Sequence, residues 1–472
     1  MRLSALISST PQIRVRALVG ADADPLVTSI DIDSRKVTSG ALFCCSPGEH
    51  SDGHDFASQA VDQGAVALLV DHELRHERRV PQLIVDSTRL AVGHLASEFF
   101  GRPSAKLRTI GITGTNGKTT TAHILQCALN ALNEPCGVIG TLTGKHTTPE
   151  APDLQRRLAE FVAEAKRSVA MEVSSHALAL DRVVGTRFAA GVFTNLGRDH
   201  LDLHGTEERY FAAKAKLFTP ELCDQAIVNA DDVRGRLLAD VASIPTTTYS
   251  LGDIADIQVG SFEHRYVWHG ERVAVGLGGH FNVSNSLAAV TTLLALGFGV
   301  AETAIALSSV SAVPGRFEPV RAGQDFTVIV DFAHTPEALT EVLHAARTVA
   351  GSRRVLVVFG CGGDRDRAKR PLMALAAATL ADRCIITSDN PRSEDPLAII
   401  NDAFAGVPGD YRGNVVLQAD RHQAIAQAVH EARAGDVVVI AGKGHETTQT
   451  IQSTVLRFDD RAVARALLEG ML

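Results

Sequence analysis

Thr109-Ile110-Gly111-Ile112-Thr113-Gly114-Thr115-Asn116-Gly117-Lys118-Thr119-Thr120 decides the fold class of this chain. A β-branched run enters a glycine-rich turn, and residues 119–132 continue in a helical pattern. Glycines let the main chain wrap closely around phosphate oxygens, and a helix N-terminus aims N–H groups at an anion. Lys118 is placed to neutralise the β- and γ-phosphates of a nucleotide, and the Thr119 hydroxyl to ligate Mg²⁺. The strict G-x-x-x-x-G-K-[ST] spacing is missed by one residue, because Ile112 stands where it asks for glycine. A glycine-rich turn with an incidental lysine is the plain alternative. The strand before, the helix after and Lys118-Thr119-Thr120 favour phosphate binding.

Working outward, short apolar runs alternate with helical patterns. The runs are 107–113, 168–173, 189–194 and 226–230, then 326–331, 355–360, 384–387, 415–418 and 437–441. Earlier signals lie at 28–32 and 65–70. Continuous apolar strands between helices predict parallel sheets covered on both faces, with ligands at the strand carboxyl ends. At 472 residues the chain is too long for one ordinary core. Gly101-Arg102-Pro103-Ser104 and Val313-Pro314-Gly315 read as linkers. The expectation is three α/β units, at 1–103, 104–314 and 315–472.

Composition bounds the function. Apolar residues make up 45% and charged residues 21%, ordinary for a globular protein. The apolar stretch at 286–300 is broken by Thr291 and Thr292 and reads as a buried helix rather than a membrane span. The N-terminal MRLSALISSTPQIRVRAL lacks a signal-peptide pattern. A net charge of −8 argues against nucleic acid as partner. It leaves room for small anionic substrates held by a local cluster of cations and backbone N–H groups. The seven cysteines form no C-x-x-C pair, which fits free thiols in a reducing cytoplasm.

Charged residues gather where the predicted strands end. Glu172 would emerge near the phosphate loop, where a carboxylate can hold Mg²⁺. His200 would sit at the same sheet edge, whereas His176 reads equally well as structural. Residues 210–218 look like an amphipathic helix, and composition does not separate Lys214 from Lys216. The last unit has four polar strand exits, at 331–337, 360–367, 388–396 and 441–446. Four such exits from one sheet point to a binding site rather than to packing. Arg365 and Arg392 suit carboxylates and Glu446 suits an ammonium group, so together they suit a zwitterionic amino acid.

These residues resemble the Mur ligase family. The resemblance runs through Asp33-Ser34-Arg35, Asp52-Gly53-His54, 114–120, 172–176, 195–204, 279–285, Gly315-Arg316-Phe317-Glu318, 331–336, 360–371, 389–396 and 442–446, so it covers most of the chain. It implies a three-domain architecture: an N-terminal UDP-substrate domain, a central P-loop ATPase domain and a C-terminal, Rossmann-like amino-acid domain. It also implies that ATP phosphorylates the D-Glu carboxylate of UDP-N-acetylmuramoyl-L-alanyl-D-glutamate. The amino group of the incoming amino acid then attacks the acylphosphate, in peptidoglycan synthesis. Asp389-Asn390-Pro391-Arg392 is the tetrapeptide of members that add meso-diaminopimelate.

Carried over by position, Gly114, Thr115, Asn116, Gly117, Lys118, Thr119, Thr120, Asn282, Asn285, Arg316 and Asp331 would bind ATP. Thr119, Glu172, His200 and a carbamylated Lys214 would hold Mg²⁺, with Lys118, Glu172, His200 and Lys214 as the catalytic set. Ile32, Ser34, Glu49, His50, Ser51, Thr147, Thr148, Ser174 and Arg182 would bind the UDP-linked dipeptide. Arg365, Asp389, Asn390, Pro391, Arg392, Gly442 and Glu446 would bind diaminopimelate. Two positions depart from the family: Leu180 stands where some members have a substrate-contacting Gln, and Phe332 replaces a Tyr. The competing readings are a lysine-adding or other Mur or folylpolyglutamate-type ligase, and a P-loop ATPase that ligates nothing.

Overall fold

The computed structural model describes residues 1–20, 24–48, 51–75, 80–144, 146–197, 199 and 201–471. The strand that opens on the phosphate loop, Arg108–Thr113, lies inside a six-stranded parallel sheet. The order is Thr246–Tyr249, Ala226–Asn229, Ala190–Phe193, Arg108–Thr113, Ser168–Glu172, Cys136–Ile139. Alternating side chains fill two cores, as a sheet buried on both faces requires. Ile110, Ile112, Ala170 and Val192 pack with the helices Lys118–Ala131 and Phe281–Ala295. Val169, Met171 and Phe193 pack with Leu154, Leu158 and Phe161 of the helix Ala151–Ala163 on the other face.

This sheet explains the irregular spacing of the phosphate motif. Ile112 is a fully buried strand residue between Glu172 and Val192. A glycine there would remove core, and the turn itself begins only at Gly114.

A second six-stranded sheet runs Glu318–Val320, Thr327–Asp331, Val437–Ala441, Val355–Cys361, Arg383–Ser388, Val415–Leu417, all parallel except the first pair. The helices Pro336–Ala350, Lys369–Leu380 and Pro396–Phe404 cover one face, and Arg421–Glu431 with Asp460–Glu469 the other. Thr335 caps the first of these helices and Pro336 occupies its first turn, where a missing N–H costs nothing. The N-terminal sheet has five strands, in the order Val15–Val19, Gln82–Val85, Ala65–Val70, Ala41–Cys44, Ser29–Asp31, with the first pair antiparallel.

The predicted buried stretch at 286–300 is two helices. Phe281–Ala295 stops at Gly297, whose φ of 94° lies in the left-handed region, and Val300–Ala306 follows. Six short strands inside the larger sheets, Val15–Val19, Ala41–Cys44, Gln82–Val85, Cys136–Ile139, Thr246–Tyr249 and Glu318–Val320, were not foreseen, nor were two separate β elements: the antiparallel sheet Ile254–Val259, His264–Trp268, Glu271–Val275 and the hairpin Thr448–Ile451, Thr454–Arg457. Their strands expose much of their length, so they lack the continuous apolar run of a buried parallel strand. Among the described residues no helix is long and apolar enough to cross a membrane.

Candidate active site

The central sheet puts the ends of Ser168–Glu172 and Ala190–Phe193 on either side of the phosphate loop. Thr115 donates its backbone N–H to the carbonyl of Asn195 at 2.9 Å, and Asn116 donates its own to Asn195 Oδ1 at 2.9 Å. Gly114 and Gly117 have φ of 151° and 88°. A Cβ at 114 would lie 1.9 Å from Thr194 Oγ1, so the close approach itself demands glycine. The following helix carries no side-chain cap, which leaves its first N–H groups for an anion.

Lys118 Nζ donates to the carbonyls of Gly114 and Thr115 at 2.8 and 2.9 Å. Desolvation lowers its pKa, against the opposing pull of Glu172 and Asp199. Glu172 is buried: its Oε2 accepts from Thr119 Oγ1 at 3.0 Å and its Oε1 from the Thr141 N–H at 2.8 Å. Gly140 lies close beside it: a Cβ there would stand 2.3 Å from Glu172 Oε1 and displace that carboxylate.

The structure separates the two lysines that composition could not. Lys214 is enclosed, 1% exposed, with Nζ 2.8 Å from the Gly114 carbonyl and 4.4 Å from the Tyr210 ring centroid. Burial first, and the Lys118 ammonium second, push its pKa well below the ordinary lysine value. Lys216 instead reaches the Leu178 carbonyl at 3.2 Å, and half of its side chain is exposed. Tyr210, whose hydroxyl is 3.1 Å from Thr115 Oγ1, ties this helix to the phosphate loop and had not been singled out.

Arg316 crosses from the third unit. Its Nη2 donates to Thr119 Oγ1 at 3.0 Å, its guanidinium lies 4.5 Å over the Phe332 ring, and its Nε is buried without a protein partner. Asp331 accepts from the N–H groups of Phe317 at 2.6 Å and Ala333 at 2.7 Å, so its carboxylate shapes the turn it ends. Asn285 donates to Asn282 Oδ1 at 2.9 Å, and Asn282 to the Gly278 carbonyl at 2.7 Å. Residues 115–120, Thr147, Glu172, Ser174, Lys214, Asn285, Arg316 and Asp331 line one cleft of about 530 Å³. His334, Glu337 and Glu341 close it from the third unit and were not foreseen in it. Asn282 and Thr148 support the wall from behind. Thr148 Oγ1 donates to the Glu172 carbonyl at 2.9 Å and accepts from the Ser174 N–H at 3.0 Å.

The four polar exits of the third unit also meet, because their strands are neighbours in one sheet. Asn390 Nδ2 donates to Glu446 Oε2 at 2.8 Å across 56 residues of chain. Arg392, with φ of 51°, donates through Nη1 to the Gly363 carbonyl at 2.6 Å. A Cβ on Gly362 would stand 3.0 Å from Arg392 Nη1 and 3.8 Å from Arg365 Cγ, so both arginines border that glycine. Gly442 needs its φ of 116° and its bare Cα, since a Cβ would lie 2.6 Å from Asp389 Oδ2.

The unforeseen hairpin stitches this stretch together. Thr450 N–H donates to Asn390 Oδ1 at 2.9 Å, Arg392 N–H to the Thr450 carbonyl at 3.0 Å and Gln449 Nε2 to the Asp389 carbonyl at 2.7 Å. Below it Arg421, fully buried and paired with the equally buried Asp460 at 2.7 Å, donates to the carbonyls of Ser388 and Ala441, where two of the strands end. No local signal in the sequence marks that pair.

In the N-terminal unit Ser34 Oγ donates to Gln59 Oε1 at 3.1 Å and Ile32 is half-buried. Ser51 is exposed, and its carbonyl accepts from the Gly48 N–H at 2.8 Å. His54 fastens this turn, with Nδ1 2.6 Å from Asp52 and Nε2 3.2 Å from Asp71 at the end of the strand Ala65–Val70. Arg89 and Arg182 share Glu150, at 3.0 and 2.7 Å, and so join the first unit to the second beside Thr148. Glu49, His50 and His200 lie outside the described residues.

A phosphate loop on a parallel sheet, facing a second α/β unit across a cleft, is the arrangement of the Mur ligases, and the chain belongs to that family. It matches the family's catalytic domain over residues 26–100, the Mur ligase middle domain over 112–293 and the glutamate ligase domain over 315–444. It is 45% identical to the UDP-N-acetylmuramoyl-L-alanyl-D-glutamate–2,6-diaminopimelate ligase of Geobacillus thermodenitrificans, over 99% of each chain. A solved structure of a ligase of the same name aligns over 98% of each chain, with a TM-score of 0.68 and 33% identity. The MurF of Acinetobacter baumannii shares the fold at 20% identity, with a TM-score of 0.69 over 99% of this chain and 98% of that one.

Proposed function

We propose that the chain is the ATP-dependent ligase that joins meso-diaminopimelate to the D-glutamate carboxylate of UDP-N-acetylmuramoyl-L-alanyl-D-glutamate, a step of peptidoglycan synthesis in the cytoplasm. The observation that carries the reading is the single cleft shared by Lys118, Glu172, Lys214 and Arg316. Lys118, Arg316 and the open helix N-terminus receive the ATP phosphates, with Asn282, Asn285 and Asp331 around the nucleoside. The D-glutamate carboxylate attacks the γ-phosphorus and ADP departs. The amine of diaminopimelate then attacks the acylphosphate, phosphate leaves and the amine gives up a proton. Cationic groups aimed at the transferring phosphoryl act where its charge develops.

The donor set suits Mg²⁺. Thr119 Oγ1 and Glu172 Oε2 are hard oxygens 3.0 Å apart. Mg²⁺ there neutralises phosphate charge. Lys214 fits the role of a carbamylated lysine: burial and the neighbouring Lys118 lower its pKa, which favours the neutral amine, the form that adds CO₂. Ile32, Ser34, Ser51, Thr147, Thr148, Ser174 and Arg182 receive the UDP-linked dipeptide, with Glu49 and His50. The domain boundaries fall at 103/104 and 314/315.

Diaminopimelate differs from lysine by one far carboxylate. Arg392 receives it, with Arg365, Asp389, Asn390, Pro391, Gly442 and Glu446 around the amino acid. Lysine would leave that guanidinium without its anion, a penalty on the order of a few kcal/mol. The test is a panel of amino acids with UDP-N-acetylmuramoyl-L-alanyl-D-glutamate and ATP. Phosphate release is expected only with both co-substrates, far faster with meso-diaminopimelate than with L-lysine, and Arg392→Ala should collapse the ratio. A wild type that prefers lysine, or hydrolysis independent of the co-substrates, overturns the reading.

A further inference from the structure

We infer that Lys443 is a positioning residue for amino-acid selection, holding the Glu446 carboxylate and the Asn390 amide in the arrangement that receives the ammonium group of the incoming substrate. The inference rests on the amino-acid pocket proposed above. Lys443 is 0% exposed, while a third of the Glu446 side chain is open. Its Nζ lies 2.9 Å from Glu446 Oε2, 2.7 Å from the Thr448 carbonyl and 3.5 Å from Asn390 Oδ1. An ammonium has three N–H donors, and three protein oxygens surround this one. Lys443 therefore has no donor to spare for a ligand and acts through the two groups it holds.

The backbone forces that orientation. Gly442 and Gly444, on either side, have φ of 116° and 53°. A Cβ on Gly442 would strike Asp389 Oδ2 and one on Gly444 the Gly315 carbonyl, each at 2.6 Å. The chain is thus pinned before and after Lys443, and its side chain points inward. Asn390 is fixed in turn by the Thr450 N–H on its Oδ1 and by its own Nδ2 on Glu446 Oε2. Among the described residues both hydrogen bonds to Glu446 fall on Oε2, so Oε1 is the oxygen offered to a ligand.

Electrostatics says which amine it takes. A nucleophilic amine must be neutral, and an ion pair with a carboxylate would keep it protonated. Glu446 therefore suits the amine of diaminopimelate that does not react. Without Lys443 the carboxylate would lose its main anchor, and the loss would fall on that amine alone.

The test compares Lys443→Met, Glu446→Gln and the double variant of the full chain, with the KM of each substrate measured separately. Lys443→Met should raise the KM for meso-diaminopimelate tenfold or more and leave those for ATP and the UDP-linked dipeptide within twofold. It should also narrow the preference for meso-diaminopimelate over 2-aminopimelate, which lacks one amine. In the Glu446→Gln background Lys443→Met should add little, because it acts through Glu446. The double variant leaves no unpaired buried charge, and Lys443→Gln, which can still donate to Glu446, should recover part of the affinity. These two keep the test readable if Lys443→Met misfolds. Equal increases in all three KM values, or independent effects of the two mutations, overturn the role of Lys443. No change in the diaminopimelate KM with Glu446→Gln overturns instead the pocket on which it rests.

Discussion

Lys214 and Lys443 are both sealed from solvent, at 1% and 0% exposure, yet their surroundings differ in kind. Lys214 shares its acceptor, the Gly114 carbonyl, with Lys118, each Nζ at 2.8 Å. Desolvation and a second ammonium act together, so its pKa falls well below the ordinary value. Lys443 is ringed by a carboxylate, a backbone carbonyl and an amide oxygen. Burial alone does not decide what a lysine does; the set of acceptors does. The Lys214 ammonium meets another cation across a shared carbonyl, whereas the Lys443 ammonium is satisfied by a carboxylate and two further oxygens, which it holds in place.

The largest expected effect tests the phosphate-loop lysine. Lys118→Ala should lower turnover by about 10²- to 10³-fold or more with the fold retained, read as phosphate release beside circular dichroism. Near-normal turnover in a folded protein would remove Lys118 from the phosphoryl site and erase the contrast with Lys443.

Next comes the pair that shares a helix end. Lys214→Ala should be nearly inactive and partly rescued by added short carboxylates, whereas Lys216→Ala should stay within a few-fold of wild type. With ¹³C-bicarbonate, a carbamate resonance should appear in wild type and in Lys216→Ala and vanish in Lys214→Ala. Equal losses from both substitutions, or no resonance, would mean that the low pKa of Lys214 serves no carbamate.

The smallest effect probes a satisfied pair. Glu394 accepts from Arg370 at 2.8 Å and Arg367 at 2.7 Å, and these bonds hold its carboxyl at about 2 rather than 4.5. A depressed carboxyl contributes stability above its unfolded pKa and loses it as pH falls through its folded one. Thermal unfolding of Glu394→Gln should therefore lie below wild type above about pH 4.5 and converge with it as pH falls toward about 2. Parallel curves across that window would show that Glu394 is not the titrating group.

Legibility follows the length of chain that a feature needs. The phosphate loop could be read because its requirements are local: glycines at the turn, a lysine at the helix start, an apolar strand before it. Many of the buried strands were readable for the same reason, with ends that moved by only a residue or two, whereas Ala41–Cys44 and Gln82–Val85 escaped although buried throughout. Lys214 could not be told from Lys216 by composition, since neighbouring positions on a helix end face different ways and only the packing says which way the cleft lies. The hairpin at 448–457 escaped because its exposed strands carry no apolar pattern.

The sequence by itself determined the α/β class, the phosphate loop and the residue types at each strand exit, because hydrophobic period and turn chemistry act over a few residues. Tertiary structure alone decided which exits meet. Asn390 and Glu446 become neighbours only because Val437–Ala441 and Arg383–Ser388 flank Val355–Cys361 in one sheet. Arg421 finds Asp460 across 39 residues for the same reason, as helices on one face of that sheet pack together. The chemistry of a buried charge is set by those distant partners, through the low dielectric that makes each acceptor count.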